Sequence, residues 1–229
     1  NPLIAASTLP LRYPPFDRIR PEHFAPAFDQ AMAEERAEVE RIAGNRAPPT
    51  FDNTVVALER SGRLLASVSA TFFGLCGADT NDELDALRRR LAPRLAAHRD
   101  AIVLNATLFR RIEHLYAQRT SLGLDAESER LIERYHESFS RAGAELADAS
   151  KARMREINEA LADLSTAFSQ NVLAEVNDKV VTVASADELA GLSEGELARA
   201  RAEASRRGLD GGYVLKLTNT SGQPVLKQL

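Results

Sequence analysis

The chain has 229 residues, 44% hydrophobic and 27% charged, a balance that suits a folded domain and excludes gross disorder. Its 29 Lys and Arg stand against 33 Asp and Glu, a net charge of −4, so no basic excess exists to hold a nucleic-acid backbone. One cysteine excludes an intrachain disulfide, and no apolar run reaches the ~18 residues of a membrane span.

Residues 1–20 read as an extended arm, because Pro2, Pro10, Pro14 and Pro15 block regular helix. Leu3, Leu9, Leu11, Tyr13, Phe16 and Ile19 predict that this arm lies against the body. From Pro21 the apolar residues Phe24, Phe28, Ala31, Val39 and Ile42 follow a helical period that stops at Gly44-Asn45. After Pro48-Pro49, Thr50 or Asp52 is placed to cap a second helix, with a stripe through Val55, Leu58, Leu65, Val68, Phe72 and Leu75. Thr80 and Glu83 have the spacing of a capping box for a third helix carrying Leu84, Leu87, Leu91, Leu95 and Ile102. Pro93 predicts a kink or a split in it.

Asn105 caps a short helix striped by Leu108, Ile112, Leu115 and Tyr116. A long helical tract from about 126 to 176 follows, expected to break once between Gly143 and Asp148. Near Lys179 the period changes. Lys179–Val183 and Tyr213–Thr218 are short and β-branched, and between them Ser193 and Glu196 box the start of a helix that ends at Gly208. The fold class is therefore mainly α: the arm (1–20), a bundle of antiparallel helices (21–177) and a small strand–helix–strand appendage (178–229).

Chemistry is sought first at the histidines. His136-Glu137-Ser138-Phe139-Ser140 approaches a zinc-protease helix, but that motif needs a second His four residues on, and Ser140 occupies the place. His114 has Arg110 and Gln118 one turn away, His98 has Arg94 and Ile102, and His23 has no acidic pair at ligand spacing. Cys76 sits in an apolar helix end and reads as an inert thiol. No nucleophile elbow, phosphate loop or dinucleotide loop is present. The Arg residues alternate with carboxylates, as on a solvated helix surface. Taken from its residues alone, this is a helical domain with no catalytic constellation: no catalytic, cofactor-binding or metal-ligating residue is assigned.

Several stretches, taken in order, resemble one family. They are Asn1-Pro2-Leu3 with Ser7-Thr8-Leu9-Pro10; Pro49-Thr50-Phe51-Asp52-Asn53-Thr54, followed by Ala57-Leu58-Glu59 and Ser61-Gly62; and Ala78-Asp79-Thr80-Asn81. Further on come Leu122-Gly123-Leu124-Asp125, Arg141-Ala142-Gly143-Ala144, and Asn219-Thr220 with Gln223-Pro224-Val225-Leu226. Together they are similar to the N-terminal part of the thimet oligopeptidase family of zinc metallopeptidases. The Leu-Gly-Leu-Asp and Arg-Ala-Gly-Ala stretches point to its peptidyl-dipeptidase branch. The alternative is the branch that cuts internal bonds of short peptides.

The resemblance implies a longer, helical parent protein split by a deep channel, with zinc bound by a His-Glu-x-x-His helix in its C-terminal half. It further implies short peptides as substrates, dipeptide release from their C-termini, and the catalytic half of the same chain as partner. None of those zinc positions falls within these residues, so the piece is expected to be inactive alone and to bind no zinc. Its implied part is a channel wall or lid that admits peptides and excludes folded proteins. The start at Asn1 and the apolar tail 222–229 read as cut points. The family's bacterial members point to the cytoplasm, or to the periplasm where a signal peptide has been removed. The reading from another class is a non-catalytic helical binding module.

Overall fold

Phe24, Ala27, Phe28, Ala31 and Met32 put one apolar face on the first helix, α1 (Phe24–Ala43), and Val39, Ile42 and Ala43 continue it. The computed structural model describes residues 1–209 and 211–217, and shows a mainly α chain. The chain divides into two compact units, Asn1–Thr166 and Ala167–Leu229.

In the first unit, α1 is followed by a π-helical turn (Phe51–Val56), a single turn α2 (Ala57–Glu59) and α3 (Arg63–Ala78). Then come α4 (Asp82–Val103), α5 (Ala106–Gln118), α6 (Ala126–Ala142) and the start of α7 (Asp148–Asp178). Two apolar cores organise them. Around the first half of α1, Phe24 and Phe28 meet Val68 and Phe72 of α3 and Leu84, Leu87 and Leu91 of α4. Around its second half, Val39 and Ile42 meet Leu58, Leu108, Ile112 and Phe139.

The arm is only partly docked. Leu3 and Ile19 enter the first core, and Asn1 donates through its side-chain amide to the His23 carbonyl at 2.7 Å. Leu11, in contrast, is 89% exposed, and Leu9, Tyr13 and Phe16 are exposed too, so the expected packing holds at the two ends and fails in between.

The second helix of the sequence reading is broken. Thr50 caps it as expected, with Asn53 returning the hydrogen bond, but Gly62 adopts φ +66° and divides α2 from α3. The Gly62 N–H donates to the Glu38 carboxylate at 2.8 Å, and a Cβ there would lie 2.3 Å from a Glu35 carboxylate oxygen. Gly62→Ala is therefore expected to lose about 1–3 kcal/mol, combining left-handed strain with displacement of Glu35. Urea unfolding followed by far-UV circular dichroism measures it; an unchanged midpoint would show that the loop relaxes freely.

Two further expectations shift. The cap of α4 is Asn81, accepting from Leu84 N–H at 2.9 Å, while the Thr80 hydroxyl donates to Asp85 instead. Pro93 does not split α4, which runs through it and forgoes one backbone hydrogen bond. The other boundaries agree. Asn105 caps α5 by accepting from Thr107 and Leu108, Asp125 caps α6, and Gly143 at φ +100° ends α6 ahead of α7.

In the second unit, β1 (Val180–Val183) pairs antiparallel with β2 (Tyr213–Lys216), Val180 opposite Lys216 and Val183 opposite Tyr213. The helix α8 (Glu194–Arg206) carries the Ser193–Glu196 capping box and packs Ala200 with Leu189, Leu192 and Tyr213. Thr218, read as the end of the second strand, lies outside the described residues, as do 219–229 of the family-like motifs.

Glu203 of α8 is buried, and its carboxylate accepts from Arg206, from Arg207 Nε at 2.9 Å and from Lys216 Nζ of β2 at 3.3 Å. Burial raises its pKa, but the hydrogen bonds from Arg207 and Lys216 outweigh it and leave the carboxyl below its ordinary value. A carboxyl depressed in the folded state contributes stability above its unfolded pKa of ~4.3 and loses it as pH falls through the folded value. Acid should accordingly weaken amide-exchange protection in β2, and Glu203→Gln should flatten that acid limb; identical limbs would refute the linkage.

Candidate functional site

The broken helix creates the main cleft of the first unit. The turn at Ser61-Gly62 borders a gap of about 520 Å³ between α1, α2, α4 and α6, with Leu65 of α3 at its edge. Apolar residues make up about half of its walls: Val39, Leu58, Leu65, Ile102, Leu131 and Phe139 all line it. Such walls with a few convergent polar groups are the usual make-up of a small-molecule site.

The polar groups come in two sets. Glu35 on α1 and Glu59 on α2 supply carboxylates; Arg99 on α4 and Arg134 on α6 supply guanidinium groups. The imidazole of His98 on α4 is buried, and its Nε2 lies 2.6 Å from a Glu35 oxygen. The remaining ring nitrogen, Nδ1, is buried without a hydrogen-bond partner among the described residues. The Tyr135 hydroxyl donates to Glu59 at 2.7 Å. Burial, reinforced by the Glu59 carboxylate, pushes the Tyr135 phenol far above its ordinary pKa, so it stays a neutral donor.

This arrangement binds more readily than it catalyses. An imidazole oriented by a carboxylate is half of a nucleophile-activating relay, but no hydroxyl or thiol hydrogen-bonds to His98 among the described residues. Nor do three His, Cys, Asp or Glu side chains converge on a metal position among them, so these residues do not fit a zinc site.

The other histidines have local work. His136 stacks on Tyr116 with ring centres 3.9 Å apart, and Arg119 caps the far face of that ring system at 4.1 Å from Tyr116. The His23 Nδ1 accepts from Arg20 N–H, and His114 meets Gln118 at 3.2 Å. Cys76 is half-buried, and burial raises its thiol pKa, as expected of an unreactive thiol.

Sequence reasoning missed the pairs that build the cleft. It tested His98 against Arg94 and Ile102, one turn away, whereas its partner Glu35 is 63 residues distant. Glu59 and Tyr135 are 76 residues apart. The only local signal was Ser61-Gly62 inside an apolar helical pattern, the mark of a break.

The motifs of the family resemblance prove to be the punctuation of this fold. Thr50 and Asn53 form a cap, Gly62 the cleft turn, Asn81 and Asp125 two more caps, and Gly143 a left-handed stop. A helical domain punctuated at these positions, with an apolar cleft and no metal cluster among its described residues, is the class that the geometry defines.

No family model matches the chain. It is 43% identical over all 229 residues to dipeptidyl carboxypeptidase of Escherichia coli, and equally so to that of Salmonella typhimurium. Oligopeptidase A of Escherichia coli is 28% identical over 226 residues. The chain is thus similar to the dipeptidyl carboxypeptidases and, at lower identity, to oligopeptidase A, in line with the motif resemblance. It spans about a third of the relatives it matches, 34% of the first two and 32% of the third. No helix among the described residues is long and apolar enough to cross a membrane.

Proposed function

We propose that these residues form the N-terminal helical wall of a longer zinc metallopeptidase that releases dipeptides from the C-termini of short peptides. The observation that carries this reading is the 43% identity to dipeptidyl carboxypeptidase across every residue of the chain. The lower identity to oligopeptidase A, 28%, favours dipeptide release over internal cleavage.

The zinc and the catalytic half would lie outside these residues, because the described ones do not fit a metal site. Their own part would be steric and cohesive: to shape a peptide channel and to carry an apolar face for the catalytic half. Exposed apolar residues support such a face. In the first unit, Ile157, Leu161 and Leu164 recur at i, i+4 and i+7 of α7, all exposed, and in the second unit Phe168, Val172 and Leu173 are exposed as well.

The test uses the complete open reading frame that contains this chain. Incubated with an N-blocked tetrapeptide, its product should release the C-terminal dipeptide, and a C-terminal amide or a metal chelator should stop it. Internal cuts that ignore the C-terminus would support the oligopeptidase reading instead. A reading frame that ends at Leu229 would favour a non-catalytic binding module. The 229-residue chain alone should show no hydrolysis of either peptide.

A further inference from the structure

We infer that the cleft between α1, α2, α4 and α6 binds a small apolar zwitterion, and that its occupant is an apolar dipeptide. Three observations lead there. At about 520 Å³, the space is that of a small-molecule site rather than a packing flaw. Its lining includes Val39, Ile102 and Leu131, which suit branched or aromatic side chains. Its charges are sorted, with carboxylates from α1 and α2 and guanidinium groups from α4 and α6.

The state of each charged group then decides what kind of ligand fits. The Glu35 carboxylate is engaged by His98 and sits beneath Gly62, so it serves as a structural support. One oxygen of Glu59 accepts from Tyr135, while the other makes no hydrogen bond among the described residues. Arg99 and Arg134 line the cleft and form no ion pair among the described residues, unlike Arg94, Arg119 and Arg130 on the same two helices or beside them. The cleft therefore offers one acceptor for an ammonium group and two forked donors for a carboxylate, beside an apolar part of its lining.

A fatty acid would use the guanidinium groups and leave Glu59 idle; an amine would do the reverse. A zwitterion with apolar substituents uses all three. A free dipeptide, whose two residues span at most ~7 Å, is the shortest peptide that presents both termini with two side chains between them. The ligand chemistry stands on the cleft alone. The choice of a dipeptide as the natural occupant rests on the proposed peptidase reading, in which dipeptides are the product, and makes the cleft a product-sensing site.

Isothermal titration of the 229-residue chain with leucyl-leucine tests the inference. One-to-one binding is expected, weakened about tenfold or more by C-terminal amidation, by N-acetylation, and by the double substitution Arg99→Gln/Arg134→Gln. Both arginines are exposed, so the far-UV spectrum and urea midpoint of that variant should match the parent. Glu59→Gln should weaken leucyl-leucine while leaving the N-acetyl dipeptide unaffected. Absence of binding, tighter binding of octanoate than of the dipeptide, or an affinity indifferent to the arginine substitutions would each overturn the inference. Peptidase activity of the full reading frame is a separate readout: dipeptide release without binding here sinks only the cleft, and binding here without dipeptide release sinks only the peptidase.

Discussion

Phe72→Ala should lower the stability of the first unit by about 3–5 kcal/mol, the cost of removing a buried aromatic ring and leaving its cavity. Phe72 is 0% exposed and is the meeting point of the α1–α3–α4 core. Its ring packs edge-on against Phe24 at 5.0 Å, Phe28 at 5.5 Å and Phe73 at 5.1 Å. Edge-to-face pairs of this kind add something beyond area alone, and truncation deprives all three neighbours at once. Surrounding helices cannot collapse into the gap without moving α1, which is shared with the second core. Urea unfolding by far-UV circular dichroism is the appropriate measurement, since the chain has no Trp to report by fluorescence. The midpoint should fall with little change in slope. A loss below ~1 kcal/mol would mean that the core repacks and that the aromatic cluster is not its keystone.

Arg111→Ala should cost about 2–4 kcal/mol, through unmet hydrogen bonds as much as lost packing. Arg111 of α5 is only 7% exposed and forms no ion pair among the described residues. It donates to the carbonyls of Asn45 and Ala47 at 2.8 and 3.1 Å, to the Asn53 amide oxygen at 2.7 Å and to the Thr54 hydroxyl at 3.3 Å. Burial lowers its pKa from the ordinary value, yet a guanidinium stays charged in any accessible range. The side chain thus ties the Gly44–Pro49 loop and the Thr50 cap to α5. Arg111→Lys should recover less than half of the loss, because one ammonium cannot reach four acceptors in a fork. A second readout separates clamping from general stability: trypsin should cut after exposed Arg46 faster in Arg111→Ala than in Phe72→Ala at equal stability. Equal cleavage rates would remove the clamp.

Much of the helix order was legible along the chain, because a period of 3.6 with caps at its ends is a local signal. Asn105, Gly143 and Ser193 stand where the reading placed them, and the switch to a period of two near Lys179 marks β1. The misplaced cap at α4 is a contest between neighbours: Asn81 offers its amide oxygen to Leu84, and the Thr80 hydroxyl is drawn off by Asp85. The exposed middle of the arm shows the limit of composition, since Leu11 and Tyr13 are apolar but nothing in the sequence says what they touch.

The candidate cleft was not legible at all. Its side-chain pairs Glu35 with His98 and Glu59 with Tyr135 join residues more than sixty positions apart. Arg111 looked like one of many surface arginines until the fold surrounded it with carbonyl groups.

The sequence by itself determined the mainly α class, most helix boundaries and the resemblance to dipeptidyl carboxypeptidases. These depend on local backbone preference and on ordered motifs, which a linear chain displays directly. Only the tertiary structure decided that Gly62 divides α2 from α3, that His98 belongs to Glu35, and that Arg99 and Arg134 share one cleft with Glu59. Those outcomes depend on which helix faces pack together, and long-range packing selects partners that carry no signature of one another in the sequence.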